Sequence, residues 1–305
     1  QGGWFDDVAP RLANALVGNR EDAAVLECTL AGPTLVVARD ALVAITGADM
    51  TPTLDGAPVA MHRPLLVRAG QRLVLGGAAT GCRTYVAIDG GIDVAHVLGS
   101  ASTQLRGAFG GHAGRALRAG DALASGTPSP VAGTLRDRGD AVRDALRSIT
   151  PPSEFTAPPA HGARLGLALH DTVAGALADA TLARPWTVAP ASDRMGLRLD
   201  GPSIPLAAAL GREPSEPTVL GTVQLPPDGT PIVLGPDRQV TGGYHVVGTV
   251  VGVSRTTLAQ LRPGARVAFV PVSVERAARA FAERERRLAL ACGAIARAVH
   301  RVAHG

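Results

Sequence analysis

Short β-branched segments broken by glycine, proline and aspartate set the first limit on how this chain can fold. AVLECTL, TLVVA, LVAITG, LLVRAG, RLVLGG and TYVAIDGG follow one another in the first third of the sequence. A second series, RLGLAL, WTVA, GLRLDG, TVQLP, PIVLG, HVVGTVVG and RVAFVPV, occupies the last part before the C-terminal segment. Branching at Cβ favours the pleated backbone, and punctuation at such short intervals leaves no room for long helices between the segments. With 37 Gly, 23 Pro and only 3% aromatic residues, the balance is that of many short strands and tight turns. Its 305 residues are enough for two cores of ordinary size, and 46% hydrophobic content excludes a disordered chain. The expected class is mainly β with some α (α+β), in two β-rich subdomains.

Asp6 or Asp7 is placed to cap a short helix, VAPRLANALV, which Gly18 stops as a left-handed C-cap. Asp55-Gly56 marks a hairpin. Composition changes between Ser125 and Gly162, where TPSP, RDRGDAVRDALRSI and TPPSEFTAPPAH replace the strands. The expected division is therefore a first subdomain over 1–124, a linker over 125–162, a second subdomain over 163–275 containing a helix near Thr172 to Leu182, and a terminal helix over 276–305. That last segment, VERAARAFAERERRLALACGAIARAVHRV, carries Ala, Leu and Ile mainly on one face and Arg and Glu on the other. Its face fits its own domain or a partner's groove. VRAGQRL, LRAGDAL and LRPGARV are three copies of one local pattern. Either duplication of the halves or one turn type needing glycine explains them.

The chain contains no lysine, so its 30 basic residues are all arginine. That excludes a lysine-bearing phosphate loop, a Schiff-base enzyme and a biotin carrier. A net charge of +4 does not indicate nucleic acid, because the arginines are interspersed with Asp and Glu and stacking aromatics are few. Cys28, Cys82 and Cys292 have no close spacing. Without a signal segment or a membrane-length apolar run, the expected location is the cytoplasm. His62, His112 and His245 lack metal-ligand spacing and read as structural, so no metal is expected.

Three stretches carry hydrogen-bonding chemistry. The loop GGIDVAHVLGSASTQLRGAFGGHAGRALRAGDAL can cradle an anion or serve as a connection. In Ser192-Asp193-Arg194-Met195-Gly196, an Asp and an Arg stand between two strands. As neighbours they point different ways, so one can face a cleft while the other fixes the turn. In VQLPPDGTPIVLGPDRQVTGGYHVVGTV, Gln224 and Gln239 each offer donor and acceptor in one side chain, and Arg238 can pair with a carboxylate or phosphate. Asp237 can accept a proton or fix that arginine, while Gly242, Gly243 and Tyr244 can bring donors to an oxyanion. A hairpin loop without a ligand is the plain alternative. The functional reading puts Asp193, Arg194, Gln224, Asp237, Arg238, Gln239, Gly242, Gly243 and Tyr244 along one cleft, at the junction reached by the first subdomain's glycine loops.

Taken in order, GCRTYVAIDGGIDVAHVLGSASTQLRGAFGGHAGRALRAGDAL, SDRMGLRLDGP, VQLPPDGTPIVLGPDRQVTGGYHVVGTV and LAQLRPGARVAFVPVS resemble the carboxyltransferase family of allophanate hydrolase subunit 2. KipA-like proteins, the C subunit of 5-oxoprolinase and the carboxyltransferase region of urea carboxylase belong to the same family. The resemblance spans most of residues 6–275; the family pattern has a further Q-D-x-G-R-x-G segment before the point where this sequence starts, and site residues from that leader are expected to be missing here. It implies a cyclophilin-like β-barrel for the C-terminal subdomain. It implies as partner a KipI-like small subunit, which is the B subunit of 5-oxoprolinase or allophanate hydrolase subunit 1 in related systems, with a third subunit in the 5-oxoprolinase complex. The implied activity is ATP-dependent opening of 5-oxo-L-proline to L-glutamate. Two alternatives are implied as well: biotin-dependent carboxyl transfer to urea or a related amide, with biotin on a separate protein, and non-catalytic antagonism of a KipI-like kinase inhibitor.

Overall fold

Asp6 starts the first helix, its Oδ1 accepting from the backbone N–H groups of Val8 at 2.9 Å and Ala9 at 3.2 Å. The helix runs Ala9–Leu16 with Pro10 in its first turn, and Gly18 follows at φ +71°. The computed structural model describes residues 2–157, 162–171, 173, 175–205, 207–208 and 213–305. It divides into an N-terminal unit, residues 6–158 with 286–305, and a barrel unit, residues 1–5 with 159–285.

The N-terminal unit has strands β1 (Leu26–Thr29), β2 (Thr34–Val36), β3 (Ala41–Asp49), β4 (Thr53–Leu54), β5 (Ala57–Pro58), β6 (Pro64–Val67), β7 (Arg72–Val74) and β8 (Thr80–Ile88). They form two four-stranded sheets, ordered β1-β8-β3-β6 and β2-β7-β4-β5. The long strands β3 and β8 are buried on both faces, which is why they read as continuous apolar runs. Leu42, Ala44 and Ala87 pack on Leu12 and Leu16 of the first helix, whereas Val43, Ile45 and Val86 pack with Leu73 and Leu75. Asp55 and Gly56, at φ +49° and +85°, join β4 to β5 in the left-handed pair of torsions that a two-residue hairpin requires.

The stretch expected as a linker is part of this unit, not a connector. Helices Pro130–Arg138 and Arg143–Arg147 lie within it, the first capped by Ser129, whose Oγ accepts from Ala132 N at 3.3 Å. Leu135, Val142, Leu146 and Ile149 are buried with the first helix and with Leu288, Ile295 and Val299 of the terminal helix. Its polar composition misled because Arg and Asp cover the outer faces of short helices, while the apolar positions recur at helical intervals. Asp89 anchors the segment: its carboxylate is fully buried, receives Arg39 Nη1 at 3.0 and 3.2 Å and Leu42 N at 3.1 Å, and lies 3.3 Å from Arg136 Nε.

The barrel unit contains β9 (Gly162–Leu169), a helix (Gly175–Leu182), β10 (Trp186–Val188), β11 (Gly196–Asp200), β12 (Glu216–Pro217), β13 (Thr222–Leu225), β14 (Ile232–Leu234), β15 (Thr241–Gly242), β16 (His245–Val250), a helix (Arg255–Gln260) and β17 (Arg266–Pro271). Seven strands close in the order β10-β11-β14-β13-β16-β9-β17, all antiparallel except the β9–β17 pair. Alternate residues such as Leu165, Leu167, Leu197, Leu199, Val223, Leu225 and Phe269 fill the interior with Trp186. Phe5, from the start of the chain, is completely buried among them.

The final helix runs Val274–His304. The buried positions Leu288, Ala291, Ile295, Val299 and Ala303 recur every three or four residues, and its 286–305 portion belongs to the N-terminal unit. No helix among the described residues is long and apolar enough to cross a membrane. In the recurring pattern, Gly70, Gly120 and Gly264 share φ values of +83°, +90° and +84°. One turn type that favours glycine therefore accounts for the three copies.

Candidate functional site in the barrel unit

The loop between β10 and β11 meets the loop after β14. Gly235 N donates to Met195 O at 2.8 Å and Asp237 N donates to Arg194 O at 3.0 Å. Across this backbone contact the Arg194 guanidinium grips the Asp237 carboxylate in a bidentate pair, Nε to Oδ2 at 2.9 Å and Nη2 to Oδ1 at 3.0 Å. Asp237 is the more enclosed partner, its side chain 5% exposed against 22% for Arg194. Two charge-assisted bonds in one plane fix both side chains and hold the two loops together. The neighbouring Asp193 turns away and is exposed. Its Oδ1 accepts from Met195 N at 2.7 Å and Gly196 N at 3.3 Å, so this carboxylate closes its own turn.

Arg238 is buried, with Nε and Nη2 directed at Thr218 O at 3.4 and 3.3 Å. Burial, reinforced by the nearby charge of Arg255, lowers its pKa. Gln239 has an exposed side chain, and it is its backbone oxygen that accepts from Thr218 Oγ1 at 2.6 Å. Thr218 N donates to Val240 O at 2.9 Å, and Glu216 pairs with Gly242 between β12 and β15. Segments 216–218 and 238–242 thus form one layer.

Gln224 lies beneath that layer on β13, almost wholly buried, and its amide Nε2 has no hydrogen-bond partner among the described residues. A Cβ on Gly242 would come within 2.4 Å of this nitrogen, so glycine is what allows the layer to lie on the amide. At Gly243 a Cβ would sit 2.9 Å from Glu213 O, while Gly243 O accepts from Glu213 N at 3.2 Å. Tyr244 is half-buried. His245, next along, is buried with Nδ1 3.0 Å from Glu213 Oε1.

The structure therefore gathers Arg194, Asp237 and Arg238, and separately stacks Gly242 on Gln224. It gives Asp193 and the Gln239 backbone local bonding roles. Sequence reading passed over the opening segment. Arg194 Nη2 donates to Gly3 O at 2.8 Å, Arg255 Nε donates to Phe5 O at 2.9 Å, and Arg255 Nη2 donates to Trp4 O. Three consecutive carbonyls are held by two arginines that stand far apart in the sequence. The acceptors are backbone oxygens, which leave no trace in residue identity.

Fold and loops together define a class: a β-rich chain with a closed seven-stranded barrel whose loops are tied by an Arg–Asp pair. The chain belongs to the carboxyltransferase domain family, subdomains A and B, whose model matches residues 1–271. It is 36% identical over 285 residues to the 5-oxoprolinase C subunit of Escherichia coli, covering 93% of this chain and 86% of that protein. With the 5-oxoprolinase C subunit of Haemophilus influenzae it shares 34% identity over 277 residues, 91% of this chain and 84% of the relative. Among solved structures it resembles urea carboxylase of Kluyveromyces lactis, at a TM-score of 0.78 and 27% identity over 94% of this chain. It spans 26% of that longer chain.

Proposed function

We propose that this chain is the C subunit of an ATP-dependent 5-oxoprolinase, a hydrolase that opens the lactam of 5-oxo-L-proline to give L-glutamate. One observation carries the reading: the two relatives that this chain matches over 84% and 86% of their own length are both named as the C subunit of 5-oxoprolinase. The reading assigns a KipI-like small subunit, the B subunit of 5-oxoprolinase, as partner, with a further subunit completing a cytoplasmic complex. A lysine-bearing phosphate loop is not available in this chain, so ATP is assigned to the assembled complex and no step is routed through it here.

The barrel residues fit recognition of a planar amide. Such a group offers one acceptor and one donor in a plane, and a carboxamide side chain complements both. The exposed Gln239, with half-buried Tyr244 on the same stretch, supplies candidates for that role.

A second reading, biotin-dependent carboxyl transfer to urea or a related amide, draws on the likeness to the urea carboxylase chain. It requires biotin on another protein, because this chain has no lysine to carry it. The test is to combine the chain with its companion subunits and measure glutamate formed from 5-oxo-L-proline with and without ATP. ATP-dependent glutamate without any biotinylated protein is the expected result. No glutamate, together with bicarbonate-dependent carboxylation of urea once a biotinylated companion is added, would replace the first reading with the second.

A further inference from the structure

The terminal helix carries two histidines that the barrel site does not use. His300 and His304 stand four residues apart on Val274–His304, and both are exposed. Four residues of α-helix make one full turn plus about 40°, with a rise of about 6 Å, so the two side chains lie one above the other on one face. Their rings are already neighbours, with centroids 4.4 Å apart and planes tilted by 49°. Val299 and Ala303, each one position before a histidine, are buried in the core of the N-terminal unit. The core therefore fixes the backbone under the pair while the imidazoles face water.

A histidine in the last turn of a helix has an ordinary role, to donate to the final carbonyls and offset their partial charge. Arg138 fills that role here, its Nη1 donating to Val302 O at 2.9 Å and to Ala303 O at 3.2 Å. The surrounding face is basic, with exposed Arg297 and Arg301 three positions before His300 and His304. These guanidinium groups oppose an ion held by charge alone, so a hard cation such as magnesium gains nothing at this place. What the pair offers is two nitrogen lone pairs at the four-residue spacing by which helical histidines share one metal ion. Imidazole favours the later first-row ions, and affinity rises along that series to copper. No cluster of three or more His, Cys, Asp or Glu among the described residues could hold a metal ion, so the remaining coordination positions fall to water.

We propose that His300 and His304 form a two-imidazole site for a divalent transition ion of the nickel, copper and zinc class, with copper(II) held most tightly. Metal–nitrogen bonds of about 2 Å are reached by turning exposed rings, without moving the helix. Because the core holds the helix, the second imidazole is presented at high effective concentration once the first has bound. A bound ion joins one helical turn to the next and stabilises the helix end by mass action. The site stands apart from the barrel loops and is independent of the reaction assigned to the chain.

The experiment is calorimetric titration of the full chain with nickel(II) and copper(II) chloride near neutral pH, with magnesium chloride as the control. The wild-type chain is expected to bind either transition ion about tenfold or more tightly than His300→Ala or His304→Ala, the gain from a second ligand on the same face. Magnesium should give no binding heat, and acidification to about pH 5 should weaken the tight phase, because only neutral imidazole ligates. The chain's other histidines are present in every variant, so a difference between variants reports the pair alone. Adding Ala296→His to the His304→Ala chain should restore the tight phase, since 296 and 300 repeat the four-residue spacing at exposed positions. Arg301→His in the same background should not, because adjacent positions point different ways. Far-ultraviolet circular dichroism shows that each variant keeps its helix. A wild type without a tight phase overturns the proposal, as does a tight phase that survives either alanine substitution or a folded Ala296→His chain that fails to regain it.

Discussion

Removing the Asp237 carboxylate tests the link between the two site loops. Asp237→Ala removes the carboxylate that holds both Nε and Nη2 of Arg194. Breaking a buried ion pair from one side costs about 3–5 kcal/mol. Arg194 is 22% exposed and keeps its bond to Gly3 O, so water and the carbonyl recover part of that loss. A loss of about 2–3 kcal/mol follows, less than for a fully buried pair. The comparison is Asp193→Ala, where an exposed carboxylate gives up its two turn bonds at a cost of about 1 kcal/mol. Urea unfolding, read by tryptophan fluorescence because Trp186 is buried in the same barrel, should separate the two variants. With a slope of about 2 kcal/mol per molar, the Asp237 variant's midpoint falls by about 1–1.5 M and that of the Asp193 variant by about 0.5 M. Equal shifts, or a larger one for Asp193→Ala, would refute the assignment of the inter-loop tie to Asp237.

Two further outcomes concern the N-terminal unit. Asp89→Ala strips the shared carboxylate from Arg39 and Arg136 and should lower stability by about 3 kcal/mol in urea unfolding read by far-ultraviolet circular dichroism, with limited proteolysis then cutting first within 125–157, the segment Arg136 pins. His62 has Nδ1 enclosed without a partner among the described residues, and burial lowers its pKa below the usual value near 6.5, against a weaker opposing pull from Asp49. The unfolded chain therefore binds the proton more readily, so stability is kept above about pH 6.5 and falls as the pH drops below it, by at most about 1.4 kcal/mol per pH unit. His62→Asn, which tolerates the φ of +58° found there, should flatten the change in melting temperature between pH 7 and pH 5.

Much of the fold was legible because strands and turns are local. Asp55-Gly56, the Asp6 cap and the β-branched runs act through neighbours in the sequence, and each appears where its chemistry places it. The helices over 130–147 were not legible as part of a core, since their short apolar stripe is completed only by Leu288, Ile295 and Val299 from the other end of the chain. At the candidate site, Asp237, Arg238 and Arg194 drew notice as charged residues in loops. Nothing local declared which carboxylate met which guanidinium, because Arg194 and Asp237 are 43 positions apart. Asp193 and Arg194 were indistinguishable as candidates until backbone geometry turned one inward to its own turn and the other toward Asp237. The roles of Gly3, Trp4 and Phe5 fall to carbonyls, which every residue possesses.

The burial of Phe5 among the barrel strands bears on the order in which the chain can fold during synthesis. Phe5 leaves the ribosome long before β9 and β17 exist, and must wait for partners that lie 157 or more residues later. Ile295 and Val299 complete a core whose members Val8 and Leu12 are made long before them. Each unit therefore takes in a piece distant in sequence from the rest of it, and contacts of such separation form slowly because the loop must close before they stabilise anything. All of the barrel unit has been made by residue 285, whereas the N-terminal unit still waits for 286–305. A fragment released after residue 158 would leave one apolar core without its terminal helix, and one begun at residue 162 would leave the barrel with a phenylalanine-sized void.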